Sequence, residues 1–147
     1  MGQQQLLLIV LGVIIVGIAI AVGISMFKSN AQSSNRDQVI NDLNNLAAKA
    51  QQYYRKPTSM AGGQQSFTNF ALAAVDTGNA NGSYSLSPEG PAPSGTANVV
   101  GSVTAVTASP DSIFIVGCGK ELGNNGSTPV KAYVIVKPNN STASVLN

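Results

Sequence analysis

The chain has 147 residues, of which 10% are charged, with a formal net charge of +2, one cysteine and no histidine. Without histidine, imidazole acid/base chemistry, His-based triads and His-ligated zinc are excluded. The eight Lys and Arg residues are scattered, so there is no basic footprint for nucleic acid.

From Leu6 to Phe27 the chain runs 22 residues without a charge, and 15 of these are Leu, Ile, Val or Phe. At helical rise the run spans about 33 Å, close to the hydrocarbon thickness of a bilayer. Its aliphatic content favours insertion by roughly 5–9 kcal/mol before Gly12, Gly17, Gly23 and Ser25 take some back. No Lys or Arg stands ahead of it. Three readings follow. A cleavable signal peptide would use Ser29-Asn30-Ala31 as its small-residue site, but the apolar run is long and lacks a positive flank. A single-pass anchor would keep the C-terminal part in the cytoplasm through Lys28 and Arg36. In the third reading, a basic leader has been removed and Met1 is the mature start. The three glycines permit close approach of helices, or are ordinary membrane-helix glycines.

Beyond Phe27 the pattern becomes amphipathic. Val39, Leu43, Leu46, Ala50 and Tyr53 recur at spacings of 4, 3, 4 and 3, with Ile40, Ala47 and Tyr54 beside them. They form one apolar stripe for packing on a sheet, with Asp37, Asp42, Asn45 and Lys49 elsewhere on the helix surface. No Pro or paired Gly interrupts residues 2–56. A single helix of about fifty residues is therefore predicted, ending before Pro57. The poor helix formers of Ser29–Ser34 mark a fray or bend.

After Pro57 the helical period is lost. "TSMAGGQQSF" reads as a loop, and "SFTNFALAAV" is open between a short helix and a strand. In "NGSYSLS", Tyr84 and Leu86 alternate with serines, as in a strand with one buried face. Ser87–Asn98, with three prolines and two glycines, is a loop, and "VVGSVTAVTA" is rich in β-branched residues. "SIFIVGCG" predicts a central strand buried on both sides at Ile113–Val116, followed by Cys118, a buried small residue rather than a reactive thiol. "VKAYVIVKP" alternates Val130, Ala132, Val134 and Val136 with polar and larger residues until Pro138. The turn "ELGNNGSTP" between the last two strands predicts an antiparallel meander. Tyr53 and Tyr54 are read as packing on that sheet. Asn81, Asn125 and Asn140 fit the glycosylation acceptor pattern, which chance supplies readily in a chain this rich in Asn, Ser and Thr.

The expected fold is α+β: a long N-terminal helix, half apolar and half amphipathic, packed on a small antiparallel sheet. Residues 1–27 are the apolar segment, 28–56 the amphipathic continuation and 57–147 a β-rich head. This layout resembles the type IV pilin family and its type II secretion pseudopilin relatives. Met1 matches a common mature first residue of that family. Gln5 stands where its members often carry a Glu that neutralises a neighbour's amino terminus. The family's helix-breaking Pro and C-terminal disulfide loop are absent, so the chain looks like a divergent branch. The resemblance implies leader removal by a membrane peptidase, methylation at Met1, and residence in the cytoplasmic membrane before assembly. It also implies polymerisation with copies of itself, by assembly machinery, into a head-to-tail helical filament on the cell surface. Contacts would come from Gln3, Gln4, Gln5, Leu6, Leu7, Leu8, Gly12, Gly17 and Gly23, and the chain's low charge opposes such packing little. No enzyme, cofactor, metal site or catalytic residue is expected. The alternatives are a minor pseudopilin of a secretion machine and a single-pass membrane-anchored binding module. A membrane-anchored Ser–Lys hydrolase would need no histidine, but no Ser–Lys pair stands out.

Overall fold

The computed structural model describes residues 2–87, 105–106, 111–124 and 126–147. Met1, Asn125, residues 88–98 of the expected loop and most of the "VVGSVTAVTA" run lie outside them. With no helix breaker before Pro57, one helix, α1 (Gln3–Arg55), runs for 53 residues. It stops where Lys56, the residue before proline, turns to extended φ −72°, ψ 140°. The carbonyls freed at its end are taken up by the following loop: Gly63 N–H donates to Tyr53 O at 2.7 Å, Gln65 N–H to Tyr54 O at 2.7 Å and Gln64 N–H to Lys56 O at 2.9 Å.

Four strands follow: β1 (Gly82–Ser87), β2 (Ile113–Leu122), β3 (Pro129–Val136) and β4 (Ser141–Val145). They pair in the order β1-β2-β3-β4, every neighbour antiparallel. The fold is α+β, as the layout of the sequence indicates. Period-two alternation turns Tyr84, Leu86, Ile113, Ile115, Val130, Ala132, Val134 and Val136 inward. All are buried, and all but Val130 share one core with Val39, Leu43, Leu46, Ala47 and Ala50 of α1. Phe67, Phe70, Leu72 and Val106 complete this core from the loop side. Gly117 sits where the helix comes closest: a Cβ there would lie 2.9 Å from Val39 Cγ1 and 3.0 Å from the Tyr84 ring. At Gly119 a Cβ would collide with the Asn35 amide.

Several expectations are corrected. Ser29–Ser34 is not frayed but lies within α1: helix flanks it on both sides, so propagation outweighs a few poor formers. "SFTNFALAAV" is neither helix nor strand; Asn69 takes φ +64°, and the backbone pairs with Val106 before a single 3-10 turn at Ala74–Asp76. β2 is fully covered on its inward face; on the outward face Val116 is buried too, but Phe114 and Cys118 are only partly so. The turn "ELGNNGSTP" joins β2 to β3, and a further strand, β4, follows the one ending at Val136. Tyr53 and Tyr54 pack against the core shared by helix and sheet, and their rings also meet the loop, with centroids 5.4 Å from Phe70 and 4.8 Å from Phe67.

Candidate functional site

Apolar side chains all around the first half of α1 leave no polar face, so no single layer of the head can cover it. Gln3–Asn30 is exposed throughout, with Leu7 at 69%, Ile15 at 58% and Phe27 at 76% of full accessibility. Among the described residues α1 is the one helix long and apolar enough to cross a membrane. Gln3, Gln4, Gln5, Leu6, Leu7 and Leu8 lie on its first two turns, and all are exposed. Gly2 precedes the helix without a side-chain cap, and the first turn holds no acidic residue. A Cβ at Gly12, Gly17 or Gly23 would meet nothing within 4 Å, so packing inside the subunit does not require those glycines.

The second half of α1 is tied down by polar side chains as well as by the core. Asp42 Oδ2 accepts from Tyr84 Oη at 2.6 Å, Asn79 Nδ2 at 2.8 Å and Asn81 Nδ2 at 2.9 Å. Asn79 Oδ1 in turn accepts the Asn81 and Gly82 amides, which shapes the approach to β1. Burial alone would raise the Asp42 pKa, but the bonds from Asn81, Tyr84 and Asn79 outweigh it and hold the carboxyl below its ordinary value. Burial, with the Asp42 carboxylate beside it, pushes the Tyr84 phenol up. Asn35, buried one turn before Val39, donates to Asn81 O at 2.9 Å and accepts from Glu121 N–H at 3.4 Å, bridging the β1 and β2 ends. Lys49 Nζ meets Asp76 Oδ1 at 2.6 Å. A cleft of about 180 Å³ lies beside Asp42, Lys49, Asp76 and Asn79, but these groups bond one another across it.

The helix–sheet stripe Val39, Leu43, Leu46 and Ala50 is brought together in the core, while Tyr53 donates its hydroxyl to Thr68 O at 2.7 Å in the loop. The Asn81 amide nitrogen is engaged by Asp42, and Asn140 is exposed in the β3–β4 turn. The Cys118 thiol is pushed up by burial, partly offset by the Lys131 charge, which suits an inert thiol. Among the described residues no three His, Cys, Asp or Glu side chains group as a metal site. Asp42 and Asn35, which organise the head, read in sequence as ordinary surface polars. The partners of Asp42 lie 37–42 residues away and those of Asn35 lie 46 and 86 away, and no local spacing announces them. No protein-family model, no curated protein and no solved structure matches the chain.

Proposed function

We propose that the chain is the structural subunit of a helical, type IV pilus-like surface filament, resident in the cytoplasmic membrane before assembly. One observation carries the reading: the bare apolar half of α1 is continuous with a half locked into the head. Each exposed aliphatic side chain gains roughly 1.5–3 kcal/mol when it leaves water. The bare segment therefore demands cover, which lipid supplies first and identical helices supply afterwards. Lipid and packed helices are similarly apolar, so exchange between them is nearly balanced and open to drive by assembly machinery. Glycines with open space around them, at positions 12, 17 and 23, let neighbouring backbones approach. Unbroken helix through residues 28–35 links the bare segment directly to the head. Heterologous contacts repeated head to tail would then build an open fibre rather than a closed ring.

A permanent anchor for a binding module, or a minor pseudopilin, would use the same helix without forming the bulk of a fibre. Electron microscopy of sheared surface material, with mass spectrometry of its N-terminal peptide, separates these. Fibres built of this chain, with a methylated peptide beginning at Met1, are the expected result. Cells without fibres, and a chain that stays monodisperse in detergent, would overturn the reading.

A further inference from the structure

Along β2 the contacts with α1 move back toward the apolar half. Gly119 lies against Asn35, and past the register shift between Cys118 and Leu122 the hairpin tip reaches Gln32, whose Nε2 donates to Asn124 Oδ1 at 3.2 Å. The tip is closed by Gly123 N–H on Thr128 O at 2.7 Å and Gly126 N–H on Gly123 O at 2.9 Å. Between tip and helix lies a cleft of about 380 Å³ lined by Lys28, Gln32, Glu121, Leu122 and Asn124 among others.

Gln32 is five residues beyond Phe27, where the uncharged run ends. At helical rise that is about 7.5 Å, and each polar headgroup layer of a bilayer is roughly 5–7 Å deep. With α1 in a bilayer and Phe27 at the hydrocarbon edge, the Gln32 contact lies at the outer edge of the headgroup layer, and Leu122, which shares the cleft with Lys28 one residue past Phe27, lies at headgroup depth. At that level Leu122 is 53% exposed across a cleft from exposed Lys28, with exposed Lys120 and Glu121 before it on β2, so two lysines and one carboxylate flank the apolar side chain. An apolar side chain beside lysines that can reach phosphates is the combination an interface favours.

We infer that the β2–β3 hairpin tip, through Leu122 and Lys120 of β2 and with Lys28 across the cleft from Leu122, is a membrane foot that rests in the phospholipid headgroup layer before assembly. The inference rests on the reading that α1 enters a bilayer. The foot and the transmembrane helix together hold the head at a fixed tilt, which a helix alone leaves free.

The chain contains no tryptophan, so single Trp substitutions are clean reporters. Full-length Leu122→Trp, Val16→Trp and Val75→Trp are reconstituted in phosphatidylcholine–phosphatidylglycerol vesicles whose acyl chains carry bromine near the headgroup or deep in the bilayer. Val16→Trp reports insertion of α1. Val75, 82% exposed next to Asp76 at the far part of the head, reports water. Leu122→Trp is expected to emit at shorter wavelength than Val75→Trp and to be quenched about twofold more by shallow than by deep bromine, as at interfacial depth. Lys120→Glu in the Leu122→Trp background should weaken that quenching. If Val16→Trp is quenched while Leu122→Trp behaves like Val75→Trp, the foot is wrong and the inserted helix stands. If Val16→Trp is also unquenched, both fall. A blue shift that follows protein-to-lipid ratio and ignores bromine would assign the tip to contact between copies, and overturn the foot.

Discussion

The two halves of α1 share one backbone and one hydrogen-bond ladder, yet Gln3–Asn30 is exposed throughout while Asn35, Val39, Leu43, Leu46, Ala47 and Ala50 are buried. Helix formation does not distinguish them. Polar residues between the apolar positions confine the second half's stripe to one face, and four short strands can cover one face. In the first half the apolar residues surround the axis, and the described residues of the head form no second layer to wrap it. Being a helix is thus decided locally, whereas being covered is decided by what the rest of the chain, or other molecules, can supply.

The comparison predicts opposite sensitivities. Leu43 is fully buried between helix and sheet, and Leu43→Ala should cost the head about 3 kcal/mol through lost burial and a residual cavity. Urea unfolding of the full chain in detergent micelles, followed by tyrosine fluorescence, measures this. A loss below about 1 kcal/mol would mean that the helix–sheet core collapses freely around the gap.

Asp42→Asn should cost about 2 kcal/mol, since charge-assisted bonds from three side chains are weakened together. It should also change the pH profile. The Asp42 pKa is lowered on folding, so its stabilisation is present above the unfolded value near 4 and is lost as pH falls through the folded value. The Tyr84 pKa is raised, so its contribution is full below the ordinary phenol value near 10 and is lost as pH rises beyond it. Urea midpoints across pH should show both limbs in the parent. The acid limb should flatten in Asp42→Asn, and an unchanged limb would assign acid sensitivity to other carboxylates.

Much of this was legible in the sequence where a period or a breaker announced it. The uninterrupted run to Lys56, the spacing of Val39 to Ala50, the alternation around Tyr84 and in β3, and the stop at Pro138 each follow from local rules. Asp42 and Asn35 were not legible, because their roles depend on Asn79, Asn81, Tyr84 and Glu121 arriving from elsewhere in the chain. β4, of sequence "STASV", has mostly exposed residues and little alternation to mark it; pairing with β3 makes it a strand. The bare half poses a different problem: its apolar character was readable, but no described residue of the head covers it.

A smaller effect is expected at the edge of the head. Lys49→Ala removes one ion pair whose lysine is 56% exposed, and should cost about 0.5 kcal/mol, less at high salt. A loss of about 2 kcal/mol would show that the Lys49–Asp76 contact anchors the 3-10 turn rather than decorating it.

Gln5→Leu should leave head stability unchanged within about 0.5 kcal/mol, because Gln5 is exposed at the far end of the bare half and no hydrogen bond joins its side chain to the other described residues. The substitution also makes the segment more apolar, so it favours rather than hinders entry into a bilayer. Any loss of fibre must then arise after insertion, where a buried amide among identical helices needs a partner that leucine cannot offer or accept. The expected result is normal membrane content, an unshifted urea midpoint and a several-fold fall in sheared fibre. Undiminished fibre would remove Gln5 from assembly, and a shifted midpoint would show that the bare half is energetically coupled to the head after all.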